Sequence, residues 1–212
     1  MRAAFLLALL LAGFSADRAF AVGLGGYLSV GGGKADWTYD FDVAGDVDAD
    51  GDTGRAGLGF VMEIHPAGPS LFNYRLGVGY EAFGADFDFD NGPSDELELV
   101  GLVMDHTFGF ALMRHDVARL WIGPQVRIGL YGGGFDDLPG DVFAAEFGIG
   151  GAFGANFHVG DAFTISTVAG IRVSGYGASN DDNGVAEGDI TGAGGSAFLN
   201  LAFMARTGSD RK

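Results

Sequence analysis

The sequence predicts an all-β chain, folded as an eight-stranded antiparallel up-and-down transmembrane β-barrel. Three observations lead there. Apolar residues recur with period two, not 3.6. Eight such stretches follow one another along the chain. The segments joining them are alternately short and long, and the long ones are acidic.

The alternation is plainest in the second half of the chain. Leu120, Ile122, Pro124, Val126, Ile128 and Leu130 are interleaved with Gly123, Gln125, Arg127 and Gly129. Phe143, Ala145, Phe147, Ile149, Gly151 and Phe153 alternate with Ala144, Glu146, Gly148, Gly150 and Ala152. Phe163, Ile165, Thr167, Ala169, Ile171 and Val173 repeat the pattern. A helix would scatter these residues around its circumference, whereas a strand sets them on one face. The expected strands are 22–41, 54–65, 71–90, 95–113, 118–134, 141–157, 163–178 and 189–206. Several exceed the ~5–6 residues usual in soluble sheets.

The connections after strands two, four and six are short, at His65–Ser70, Arg114–Val117 and His158–Asp161. The others are expected as acidic loops around Asp46–Asp52, Asp90–Glu96, Asp136–Asp141 and Asn180–Asp189. Most of the 28 acidic residues therefore collect at one end, while Arg114, Arg119 and Arg206 mark the other. Long strands, short turns at one end and long polar loops at the other are the pattern of an outer-membrane barrel. The competing architecture is a secreted sandwich with its greasy faces packed together. Glycine and charge on the face opposite the apolar one, with 19 phenylalanines in the chain, weigh against the sandwich. Tyr74, Tyr80, Phe108, Phe110 and Phe203 are candidates for aromatic girdles at the membrane interfaces.

Composition removes several function classes. A net charge of −16 leaves nothing to neutralise a row of phosphates, so no nucleic acid is expected as a partner. The absence of cysteine excludes disulfides, thiol nucleophiles and Cys-ligated metal centres. With 48% hydrophobic residues the chain is too apolar for a disordered acidic tail. At the amino terminus, Arg2 precedes an apolar run from Ala3 to Phe14, and Ala19-Phe20-Ala21 supplies a small-residue cleavage pattern. Residues 1–21 thus read as a secretory signal peptide, 22–206 as the barrel and 207–212 as a short periplasmic tail. The apolar run would span roughly 18 Å as a helix, well short of the ~30 Å hydrocarbon core.

If the apolar face meets lipid, the inward face of strand two carries Gly59, Val61 and Glu63, and that of strand three Asn73, Arg75, Gly77, Gly79 and Glu81. Strand four adds Gly101, Val103, Asp105, Thr107 and Gly109, and later strands add Gln125, Arg127, Glu146 and Arg172. About eight strands enclose a bore that side chains can fill. Hairpin symmetry places Glu63 opposite Arg75, Asp105 opposite Arg127, and Glu146 opposite Arg172. The expected interior charge network is therefore Glu63, Arg75, Glu81, Asp105, Arg127, Glu146 and Arg172. The alternative is a narrow water column in which each charge matters little.

Over residues 22–206 the chain resembles the small OmpA/OmpX/OmpW-like outer-membrane barrels, by pattern and not by a signature motif. The resemblance implies a place in the outer membrane of a Gram-negative-type bacterium, with both termini in the periplasm. It implies contact with outer-membrane lipids and lipopolysaccharide, insertion by the barrel-assembly machinery, and a monomer. It also implies membrane integrity, surface interaction or passage of small solutes. Such barrels commonly finish on an aromatic residue, whereas here Phe203 is followed by nine more residues.

Motifs for other chemistry are weak. Asp46, Asp48, Asp50 and Asp52, with Gly51 at the sixth position, open like a calcium loop, but Gly57 stands where a bidentate Glu is needed. A solvated acidic segment is the plainer expectation, with divalent cations as diffuse counterions; no resident cofactor is expected. Two G-x-G-x-x-A matches, at Gly77 and Gly192, open no helix and are chance matches in a chain with 39 glycines. Asp105-His106 is half a catalytic dyad whose members point to opposite faces of a strand. No G-x-S-x-G or H-E-x-x-H occurs. The expectation is a non-enzymatic barrel with a largely closed interior. Its rivals are a porin-like transport barrel and a lipid-modifying enzyme.

Overall fold

The structure, a computed structural model, describes residues 22–41, 45–67, 70–89, 94–181 and 188–207. The expected signal peptide and all but Thr207 of the expected tail lie outside the described residues. Eight strands follow in order: β1 (Val22–Phe41), β2 (Gly45–Ile64), β3 (Phe72–Phe89), β4 (Ser94–Arg114), β5 (Ala118–Phe135), β6 (Asp141–Val159), β7 (Phe163–Asp181) and β8 (Gly188–Thr207). Each pairs antiparallel with the next, and β8 returns to β1 to close the ring. Closure leaves no strand edge for lipid to meet unpaired, the condition for a sheet to cross a bilayer.

The register fixes the stagger. From Gly26, partner to partner, the path runs through Phe60, Val78, Met104, Ile128, Phe147, Gly175 and Ala193, and arrives at Asp36. It returns ten residues beyond its start on β1. Such a stagger on eight strands goes with a tilt of about 40°. One irregularity, a bulge between Ala111 and Met113, lies near the terminal end of β4.

Strands of 18 to 21 residues make a wall roughly twice as long as the ~9–11 residues that cross hydrocarbon. Near the end that holds the termini, the outward face is apolar: Leu28, Leu58, Val78, Leu102, Ile128, Ile149 and Ile171 are all exposed. Only acyl chains solvate a continuous apolar belt of this kind at low cost. Toward the far end the alternation changes phase. On β1, Trp37 and Tyr39 turn inward and are buried, while Asp36 and Asp40 face out. On β3, Phe83 and Phe87 lie inside while Asp86 and Asp88 face out. The lower wall is therefore polar inside and greasy outside, and the upper wall has the polarity of a soluble barrel.

One of the expected far-end loops is corrected. β2 starts at Gly45, not at 54. Asp46, Asp48, Asp50 and Asp52 lie on that strand, opposite Asp40, Thr38, Asp36 and Lys34 of β1. All four project outward from an extended strand and are exposed. Successive members stand roughly 7 Å apart along it, so they do not converge on an ion as a calcium loop requires. Among the described residues no cluster of three or more carboxylate or imidazole groups is poised to hold a metal.

Candidate functional site

Among the described residues, the lumen is where the fold gathers charged side chains out of water, and it is filled in three layers. At the terminal end the β2–β3 turn folds into the mouth, burying Pro66 and Ala67. His65, with φ 58°, provides the left-handed residue that turns the chain inward. Asn156 on β6 donates to the Pro66 carbonyl at 2.9 Å, and Arg119 on β5 donates to the His65 carbonyl at 3.1 Å. Above the turn, Glu63 accepts from Asn73 at 3.1 Å and from Asn156 at 2.6 Å, and pairs with Arg75 at 3.5 Å. Arg75 also donates to Ser166 at 2.7 Å. β2, β3, β6 and β7 are thus tied across the bore.

The middle layer is the larger network. Arg127 projects from β5 with Nε 3.0 Å from Glu146 and Nη1 3.2 Å from Asp105, and its Nη2 meets Glu81. Arg55 reaches across from β2, with Nη1 3.0 Å from Glu146 and 3.4 Å from Glu81. Arg172 is more loosely placed, 3.6 Å from Asp105 and 3.7 Å from Glu146. Tyr131 donates to Glu146 at 2.8 Å, Ser174 donates to it at 2.7 Å, and Arg55 donates to Tyr176 at 2.9 Å. Four arginines, Arg55, Arg75, Arg127 and Arg172, are ion-paired with four carboxylates in the two layers, and a fifth buried arginine, Arg119, is held by the His65 carbonyl and Asn73. Two voids flank Asp105, each with room for about one water molecule.

The third layer is apolar. Trp37 stacks on Phe87 with ring centroids 5.0 Å apart, and Tyr39, Phe83, Leu97, Leu99, Phe135, Val142 and Ile190 pack with them. The far half of the bore is therefore a hydrophobic core. The bore is not lined with ions along its whole length.

All seven residues expected inside do lie inside. Glu63 stands opposite Arg75 and Asp105 opposite Arg127, as the hairpin symmetry requires. Glu146 does not stand opposite Arg172. Its partner is Tyr176, and Arg172 faces Gly150. The β6–β7 turn, with Gly160 at φ +59°, is centred on Asp161, two residues past the expected centre, and this moves each partner across the hairpin by four residues. Arg172 then reaches Glu146 only diagonally. Arg55 lies within the expected strand 54–65 but outside the expected inward set, which begins at Gly59; its inward parity, shared with Glu63, is the signal that places it inside. Arg119, expected at the rim, is buried in the mouth.

His106 faces outward within the greasy belt, in company. The Tyr74 hydroxyl lies 2.6 Å from its Nδ1 and the Met104 sulfur 3.1 Å from its Nε2. A thioether only accepts, so the ring hydrogen belongs on Nε2 and Tyr74 donates to Nδ1. Of the proposed girdle residues, Tyr80, Phe108, Phe110 and Phe203 are exposed on the outer surface.

No family model matches this sequence, and no curated protein matches it. Solved structures do. The outer membrane protein OprG from Pseudomonas aeruginosa superposes with a TM-score of 0.67 at 10% identity, over 91% of this chain and 98% of that one. The chain has the fold of the small outer-membrane β-barrels. Neisserial surface protein A matches at 13% identity and a TM-score of 0.34, over 83% of this chain and 96% of that one. The outer membrane protease OmpT from Escherichia coli matches at 11% identity and a TM-score of 0.34, over 89% and 99%. The likeness to OmpA/OmpX/OmpW-like proteins thus stands at the level of this barrel's architecture.

Proposed function

We propose that this barrel is a non-enzymatic outer-membrane protein with a sealed lumen, serving membrane integrity or surface interaction. The observation that carries this reading is the ion network spanning the bore from Arg55 to Glu146 to Arg127. It lies between a turn folded into the mouth and an aromatic core above. The signal peptide delivers the chain to the periplasm, the assembly machinery inserts it, and the termini stay on the periplasmic side. The acidic upper wall then stands outside the cell, beside lipopolysaccharide.

In planar bilayers the purified protein should give no steady single-channel steps. Regular steps would replace this reading with a porin-like one. Heating should change its mobility on SDS gels, as for a folded barrel. Hydrolysis of lipopolysaccharide by the purified protein would instead make it a lipid-modifying enzyme.

A second reading draws on a groove of about 560 Å³ in the outer wall, lined by Gly54, Ala56, Ala82, Gly84, Val100 and Gly132, with the acidic Glu98 also on its lining. Such a groove suits an apolar solute moving sideways between bilayer and barrel. Phe83 and Leu99, buried behind it, would have to move.

A further inference from the structure

The upper edge of the greasy surface is not level around the barrel. Travelling up the outward faces of β1 to β4, the first charges above the belt are Lys34, Asp52, Asp86 and Glu98. Allowing for the stagger of the strands, these four stand at nearly one height. On β6 the residue at that height is Phe143, which faces out and is 61% exposed. Around it the outward positions are small or uncharged. They are Gly132 and Gly134 on β5, Ala145 on β6 itself, and Gly177 and Ser179 on β7. No outward charge occurs along β5, and on β6, β7 and β8 the first outward charges are Asp141, Asp181 and Asp189, near the strand ends.

Phe143 also continues an established surface. Below it on the same face of β6 come Ala145, Phe147, Ile149, Gly151, Phe153, Ala155, Phe157 and Val159, with no polar residue among them. At a tilt of about 40° this column rises roughly 40 Å, against an outward apolar band usually ~25 Å tall. A greasy stretch longer than the local hydrocarbon is accommodated by tilting or by a locally thicker bilayer.

We propose that outer-leaflet acyl chains climb the β6 side to cover Phe143, while water meets the wall at the same height on the β2 side. The lipid boundary is therefore scalloped or inclined, and the β5–β7 sector is the face that holds lipid at the upper rim. This rests on the membrane reading above, and the test separates the two.

The chain lacks cysteine, so single-cysteine variants accept one label each. Phe143→Cys, Gly177→Cys, Phe147→Cys and Asp52→Cys are labelled with an environment-sensitive fluorophore in the full-length protein. Gly177 has open space around its Cα, so the substitution itself is tolerated. Each variant is reconstituted in phosphatidylcholine vesicles carrying a nitroxide near the acyl carbonyl, and its folding is checked by heat-dependent gel mobility. The labels at 143 and 177 should emit to the blue, be quenched by the lipid nitroxide and resist aqueous iodide, as the label at 147 does. The label at 52 should show the opposite. If 147 reports lipid but 143 and 177 behave like 52, the inference is overturned and the membrane reading stands. If 147 is itself open to iodide, both fall.

Discussion

Arg55 and Glu146 meet across the full width of the barrel, from β2 and β6 on opposite sides of the ring, with Nη1 3.0 Å from Oε2. A contact between strands so far apart does what backbone pairing cannot: it fixes the cross-section. Glu146 also holds Arg127, accepts from Tyr131 and Ser174, and lies near Arg172. Glu146→Gln would leave three guanidinium groups facing one fewer charge. The expected loss is about 3–5 kcal/mol, the usual cost of breaking a buried pair. Urea unfolding from vesicles, followed by the fluorescence of the inward-facing Trp37 and Trp121, measures it. Removing Arg55 and Glu146 together for apolar residues of similar volume should cost less than Glu146→Gln alone.

The same network predicts silence in conductance, and its removal should end that silence only in part. Arg127→Ala withdraws the side chain that touches Glu81, Asp105 and Glu146. The expected outcome is brief, irregular steps in planar bilayers, because the turn at Pro66 and the aromatic layer remain. Steady openings from Arg127→Ala would mean that the middle layer alone closes the bore.

The outer belt is tested by charge. Ile171 is 72% exposed in mid-belt, and Ile171→Arg should cost about 2–4 kcal/mol by the depth-dependent penalty for cations facing lipid. Asp52→Arg, on the water-facing upper wall, should leave the urea midpoint nearly unchanged. Equal effects at the two sites would contradict the phase inversion.

Tyr74 satisfies His106 inside the greasy belt, so Tyr74→Phe should strand a ring nitrogen. The expected cost is about 1–3 kcal/mol, that of a polar group left unpaired out of water. The double variant Tyr74→Phe, His106→Leu removes both partners and should recover most of the loss. Lack of recovery would mean that the pair does more than satisfy itself.

Glycine on the inner face makes room for rings. A Cβ on Gly154 would fall inside the indole of Trp121, itself fully buried and donating to Asn156. Gly154→Ala should therefore destabilise the barrel by about 1–3 kcal/mol through overpacking. The reading is checked by whether Trp121→Phe relieves the strain in the double variant.

The architecture was legible because each strand carries its own record of which face meets hydrocarbon. Leu120 to Leu130 and Phe143 to Phe153 alternate without error, and all of them lie on the outside. The lumen charges were legible by parity, so Glu63, Arg75, Glu81, Asp105 and Arg127 could be placed before any contact was known. One acidic segment misled. Asp46–Asp52 has the composition of a loop, but its even positions face water from a strand whose odd positions, such as Ala49, are buried. The phase change between Val30 and Ala35 on β1, or between Tyr80 and Phe83 on β3, was the signal that these strands continue past the membrane.

By itself, the sequence determined strand number, order, antiparallel sense and the side of the wall each residue faces, since all of these are local properties of a period-two chain with turns. Hairpin symmetry also gave two of the inner pairs, Glu63 with Arg75 and Asp105 with Arg127, but only the tertiary structure decided which side chains meet across the bore. The diagonal reach of Arg172, the crossing of Arg55 to Glu146 and the turn folded into the mouth all depend on a stagger that accumulates around eight strands. A shift of two residues at one turn, such as that at Gly160, preserves every facing and changes every partner beyond it.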